Sequence, residues 1–121
     1  WAEALATQMH YEGLSPELPD QVIVNEYLPG QGITAHIDCE PCFGPAIISL
    51  SLGSACVMMF THSASGQQVP VLLEPGSLVV MMGPARHAWK HGIPARKTDT
   101  HAGHKLARGR RVSLTFRTVI R

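Results

Sequence analysis

From Gln21 onward the chain alternates short apolar runs with turns. QVIVNEYL, AIISLSLG, ACVMMFTH, QVPVLLE, GSLVVMM and RVSLTFRTVI are rich in Val, Ile, Leu and aromatic residues, and Pro-Gly, Gly-Gln-Gly and Ser-Gly steps separate them. Six short strands at close spacing predict a mainly β fold, an antiparallel sandwich or jelly roll, and argue against βαβ units. Ahead of them WAEALATQMH combines good helix formers with a partly apolar face and predicts a short N-terminal helix. The two prolines of GLSPELPD predict a loop. Residues 92–109 read as the one long loop among the strands.

Side chains alternate along a strand, so the runs also have faces. In VIVNEYL, Ile23, Asn25 and Tyr27 share one face and Val22, Val24 and Leu28 the other. In RVSLTFR, Arg111, Ser113, Thr115 and Arg117 oppose Val112, Leu114 and Phe116. Each strand thus has an apolar and a polar face, and the polar faces either meet water or line a cavity. Asn25 and Tyr27 are unusual choices for a face that is merely wetted.

The length of 121 residues suits a single domain over 1–121 with a modest core. No apolar run approaches the roughly 18–20 residues of a membrane span, so no membrane partner is expected. The chain opens at Trp1, and we expect a trimmed piece whose natural flanks lie outside it. Three cysteines, Cys39, Cys42 and Cys56, are odd in number and too few for a disulfide scaffold, which fits a reducing, cytoplasmic setting. The net charge of +1 hides an asymmetry: all ten Lys and Arg fall between Arg86 and Arg121, where Asp99 is the sole acid, whereas residues 1–85 carry eight acids and no Lys or Arg. The last third is either a solvated basic surface or a field for a polyanion such as nucleic acid.

Candidate chemistry concentrates in HIDCEPCFG, residues 36–44. In extended backbone an H-x-D triplet aims an imidazole and a carboxylate the same way, so His36 and Asp38 supply two ligands of a facial metal site. Two His and one carboxylate leave three positions open, which suits iron chemistry with O2 and a chelating co-substrate. The second His is sought among His62, His87, His91, His101 and His104. Cys39 and Cys42 have the spacing of half a zinc site or of a redox pair, but a structural zinc needs four ligands and Cys56 lies in an apolar strand. We expect the two to be small packed residues in the loop after the triplet.

NEYLPGQGITAHID, SLSLG, KHGI and RVSLTFR, in that order, resemble the AlkB-like branch of the iron(II)- and 2-oxoglutarate-dependent dioxygenases from about Asn25 to Phe116. The resemblance implies a double-stranded β-helix, with Fe(II) bound by His36, Asp38 and His91. It further implies that Asn25, Tyr27 and Arg111 hold the distal carboxylate of 2-oxoglutarate, with Arg117 near the carboxylate that chelates the metal. The family's Asn between the two arginines is Ser113 here, a weaker co-substrate contact. Arg is the side chain suited to such a ligand, since its planar fork pairs carboxylates in a bidentate way that Lys does not. Arg111 and Arg117 stand six residues apart on one face, roughly 20 Å at ~3.3 Å per residue, and can lean toward opposite ends of one ligand. Glu40, two after Asp38, would face the same mouth if the extended run continued, and the resemblance places a substrate-contacting acid near it.

The implied reaction consumes 2-oxoglutarate and O2, gives succinate and CO2, and hydroxylates a C–H bond; on an N-methyl group this releases formaldehyde. The implied substrates are N-alkylated bases of DNA or RNA, flipped out or single-stranded. Lys90, Arg96, Lys97, Lys105, Arg108 and Arg110 are candidate phosphate contacts. Relatives of this fold also act on tRNA wobble bases, proteins and small molecules, a choice made largely by an amino-terminal lid expected to be missing from this chain. Two other readings are a non-catalytic jelly-roll binding module and a cupin-like enzyme that uses the metal without 2-oxoglutarate. Oligomeric state is not legible.

Overall fold

A computed structural model describes residues 1–120. After helix α1 (Ala2–Tyr11) come β1 (Gln21–Tyr27), β2 (Ile33–His36), β3 (Ile47–Gly53), β4 (Cys56–His62), β5 (Gln68–Leu73) and β6 (Leu78–Met81). A single helical turn, α2 (Pro84–His87), leads into β7 (Trp89–Ile93), β8 (Thr98–His101), β9 (His104–Ala107) and β10 (Arg111–Arg117). Two four-stranded sheets face each other, ordered β1-β10-β3-β6 and β2-β7-β4-β5, with β8-β9 as a separate hairpin. All the pairings are antiparallel, which makes the jelly roll the sequence pattern predicts.

Strand alternation distributes the apolar residues between two cores. Between the sheets lie Ile47, Met58, Phe60, Leu73, Met81 and Ile93. On the outer face of the first sheet, Ile48, Leu114 and Phe116 pack against Ala6 and Met9 of α1. Neighbours Ile47 and Ile48 therefore point to opposite cores, both essentially without solvent contact. The helix ends at Gly13 (φ 78°), where Gly13 N–H reaches His10 O and Leu14 N–H reaches Met9 O, a Schellman closure that needs a residue tolerant of positive φ.

The six strands read from the sequence are joined by others, and one expectation is corrected. The runs at 33–36 and 89–93 are strands, and they carry the two histidines of the candidate metal site. The expected loop at 92–109 contains the β8-β9 hairpin, closed by Ala102 and Gly103 at φ 51° and 80°, as a type I′ turn requires. The hairpin is pinned through Asp99, fully buried, whose carboxylate accepts from Arg108 Nε (2.7 Å), Arg108 Nη2 (2.9 Å), Arg96 Nε (2.8 Å) and Val57 N–H (3.1 Å). Among the described residues no helix is long and apolar enough to cross a membrane.

Candidate metal and co-substrate site

β2 and β7 place His36 directly across from His91, their ring centroids 4.5 Å apart. The strands can lie this close because Gly92 carries no side chain: a Cβ there would come within 2.8 Å of Ala35 Cα and Ala35 N. β2 ends at His36, yet the chain stays extended enough to bring Asp38 back onto the same face. Asp38 Oδ1 lies 3.2 Å from His36 Nε2 and 3.4 Å from His91 Nε2. All three ligating atoms fall within 4.8 Å of one another, close enough to share one ion.

The surroundings orient these ligands. His36 Nδ1 sits 2.8 Å from Thr34 O; a carbonyl only accepts, so Nδ1 carries the proton and Nε2 is left with a free lone pair toward the site. Asp38 Oδ2 accepts from Arg117 Nη1 at 3.3 Å. Hydrogen bonding from His91, against the opposing effect of burial and with further help from Arg117, holds the Asp38 carboxyl at about 2, so it is ionised and ready to ligate. Arg117 is itself fixed by Gln21 Oε1, which accepts from Nε and Nη2 at 3.1 and 2.8 Å, and by the Phe43 ring 3.8 Å below the guanidinium.

The three ligands open into a cavity of about 190 Å³ between the sheets. Asn25, Tyr27, Arg111, Ser113 and Arg117 all line it, so the polar faces of β1 and β10 line a cavity, with Asn25 at its exposed end. Cross-strand register assembles them, pairing Asn25 with Ser113 and Tyr27 with Arg111. Ile33, Ile47, Met58, Met81 and Ile93 supply apolar walls. Arg111 is 3% exposed, donates from Nη2 to Ser51 Oγ at 2.9 Å and stands 5.3 Å from the Tyr27 ring centre. Its Nε is buried with no hydrogen-bond partner among the described residues. A buried cation left with a spare donor on a polar cavity is suited to an anionic ligand. The donor set at the metal end, two imidazoles and a carboxylate, is that of non-haem iron(II) sites.

Other expectations fare differently. Glu40 does not line the cavity: the backbone turns after Asp38, and Glu40 is exposed, its Oε1 3.0 Å from His87 Nδ1. His62 packs edge-on to Trp89, and His101 and His104 pair across the hairpin, so of the five histidines considered only His91 joins His36 and Asp38. Cys39 and Cys42 are not packed; both are exposed and joined as a disulfide, while Cys56 is free and buried. Arg108 is no surface contact, since Asp99 engages it in the interior. Lys90, Lys97 and Lys105 are exposed. Arg86 went unnoticed in the sequence. It is 2% exposed and donates from Nη1 to Asp38 O (2.7 Å) and from Nη2 to Cys39 O (3.2 Å), clasping the backbone that bears the carboxylate ligand. Its partners are backbone carbonyls 47 and 48 residues away, for which no side-chain motif exists; being the first cation after 85 residues without one was the available signal.

A jelly roll with a two-His, one-carboxylate cluster at one end of an internal polar cavity defines the class of non-haem iron oxygenases. The chain belongs to the 2OG-Fe(II) oxygenase superfamily, whose model matches residues 1–117, and within it is AlkB-like. The family uses Fe(II), 2-oxoglutarate and O2. The tRNA (carboxymethyluridine(34)-5-O)-methyltransferase ALKBH8 of Macaca fascicularis is 46% identical over 124 residues, covering 89% of this chain and 18% of that protein. The Alkylated DNA repair protein ALKBH8 homolog of Arabidopsis thaliana is 37% identical over 118 residues, covering 83% of this chain and 34% of that protein. The chain thus spans about a fifth to a third of these two relatives. The solved structure of OsALKBH1 overlays with a TM-score of 0.65 over 96% of this chain and 60% of that one, at 22% identity, a likeness of fold.

Proposed function

We propose that this chain is the core of a dioxygenase that uses Fe(II), 2-oxoglutarate and O2 to oxidise N-alkylated bases of nucleic acid, tRNA included. The observation that carries the chemistry is the pairing, in one cavity, of the His36–Asp38–His91 cluster with Arg111, a buried cation whose Nε has no partner among the described residues. His36 Nε2, His91 Nε2 and an Asp38 oxygen would hold the metal. Arg111, with Tyr27, Asn25 and Ser113, would take the far carboxylate of 2-oxoglutarate, against apolar walls of Ile33, Ile47, Met58, Met81 and Ile93. Arg117 fixes Asp38 through Oδ2, the oxygen not facing the histidines, and would bring positive charge to the metal-side carboxylate of 2-oxoglutarate. Iron(II) bound there supplies coupling of 2-oxoglutarate decarboxylation to insertion of one oxygen atom into a substrate C–H bond. An N-methyl group so hydroxylated is a hemiaminal and collapses to the free base and formaldehyde. The 2OG-Fe(II) oxygenase family match and the placing of the His36–Asp38–His91 cluster in the same cavity as Arg111 disfavour the binding-module reading.

The substrate class rests on the tRNA and alkylated-DNA names of the two relatives and on exposed Lys90, Lys97 and Lys105 as phosphate contacts. The test is succinate formation from 2-oxoglutarate with Fe(II) in air, with and without N-methylated single-stranded DNA or RNA, beside His36→Ala. We expect succinate that rises with methylated oligonucleotide and disappears in the variant. Succinate unmoved by any nucleic acid would overturn the substrate; its absence from protein that binds metal would overturn the reaction.

A further inference from the structure

The Cys39–Cys42 disulfide begins one residue after the carboxylate ligand Asp38, in a turn between the end of β2 and the isolated bridge of Phe43 with Val119. Three tethers hold that segment. Arg86 clasps the Asp38 and Cys39 carbonyls. Cys42 N–H donates to Cys39 O at 3.2 Å, and Cys42 O accepts from Ile120 N–H at 2.9 Å, beyond the end of β10. The disulfide makes the third tether and links the first two: it runs from the residue beside Asp38 directly to the residue anchored on the extension of the strand that carries Arg117. Without it, that path runs through the turn at Glu40 and Pro41, closed only by the 3.2 Å hydrogen bond from Cys42 N–H to Cys39 O. Both sulfur-bearing residues are exposed, so a thiol or disulfide in solution can reach them, whereas Cys56 is 3% exposed and burial pushes its thiol up, out of such exchange.

We propose that Cys39 and Cys42 form a reversible redox site that sets how firmly Asp38 is held for the metal: the disulfide form is ready to bind, and the dithiol form binds more weakly. The inference rests on the His36–Asp38–His91 reading of the metal centre. The oxidant is a low-molecular-weight disulfide. One cysteine thiolate attacks it and releases one thiol; the second cysteine attacks the mixed disulfide and releases the other. The pair thereby gives up two electrons and two protons, and the incoming disulfide leaves as two thiols.

The experiment uses Mn(II), a hard ion that avoids thiolates and does not consume the pair, with free Mn(II) read by electron paramagnetic resonance. Protein is prepared reduced with tris(2-carboxyethyl)phosphine or oxidised with glutathione disulfide, and the state of Cys39 and Cys42 is fixed by alkylation and mass. We expect the reduced form to bind Mn(II) on the order of tenfold more weakly, the usual scale for losing support behind a ligand. Cys42→Ser should bind like the reduced form whatever the treatment, and Cys56→Ser should keep the full response. Equal affinity in the two redox states, a persisting response in Cys42→Ser, or a pair that stays dithiol in glutathione disulfide would each overturn the proposal. His36→Ala separates the two readings: Mn(II) binding that this variant leaves unchanged means the metal centre itself was misassigned, whereas binding that depends on His36 but not on redox state sinks the switch alone.

Discussion

Arg111 shows how much one residue can reveal when its surroundings are dry. A guanidinium 3% exposed, with a hydroxyl and an aromatic face for company and no carboxylate among the described residues, is costly to bury unless an anion completes it. Truncation to Arg111→Met removes a charge-assisted pair worth about 2–3 kcal/mol, so the dissociation constant for 2-oxoglutarate should rise by about 30- to 150-fold while Mn(II) affinity is unchanged. Isothermal titration of 2-oxoglutarate into the Mn(II)-loaded protein reads the first, and titration of Mn(II) into the metal-free protein reads the second. Ser113→Ala removes one hydroxyl of the same wall and should shift that constant by no more than about tenfold, the worth of a single hydrogen bond. At this scale the sequence was informative where side chain meets side chain at short spacing: H-x-D and the R-x-S-x-T-F-R face could be read from alternation and chemistry. It was silent where a side chain meets backbone far away, as Arg86 does with Asp38 O and Cys39 O. The place of Glu40 could not be read either, because it depended on whether an extended run continues past Asp38, which a local turn decides.

Strands legible in the sequence are those with apolar alternation over six or seven residues, such as β1, β3, β4 and β10. β2 (ITAH) and β8 and β9 (TDTH and HKLA) are four residues each and largely polar, and they owe their extended form to their partners and to Asp99. Long-range pairing of this kind leaves little mark on local composition. The β2–β7 pair nonetheless carries the metal cluster, and it has a point of weakness at Gly92. A methyl group there would meet Ala35 Cα and N at 2.8 Å, so Gly92→Ala must push β2 away from β7 and His36 away from His91. We expect a loss of about 1–3 kcal/mol in urea unfolding, the usual cost of overpacking, together with a weakening of Mn(II) binding larger than that seen in any surface variant. If Mn(II) affinity is retained, the histidine geometry does not depend on this approach.

Across the whole molecule the charge asymmetry divides into two populations. Arg86, Arg108 and Arg111 are buried and do structural or site work, while Lys90, Lys97 and Lys105 remain exposed. The first population makes stability depend on acid pH in a way composition does not disclose. Burial alone would raise the Asp99 carboxyl, but the hydrogen bonds from Arg108, Arg96 and Val57 N–H outweigh it and hold the group at about 2, against an ordinary value of 3.8. A carboxyl depressed on folding contributes stability that is present above pH ~4 and is lost as pH falls through its folded value near 2. The difference is worth about 2 kcal/mol, and Asp38, also held at about 2, adds to the same limb in metal-free protein. Urea midpoints should therefore fall steeply between pH 4 and pH 2 with little change from pH 5 to 7 on account of these groups. Asp99→Asn should flatten the acid limb by Asp99's share and, near neutral pH, cost about 3–5 kcal/mol, because Arg108 is left as a buried charge without its counter-ion. An acid limb as steep in Asp99→Asn as in the parent would mean that Asp38 or exposed carboxylates, not the hairpin anchor, govern acid unfolding.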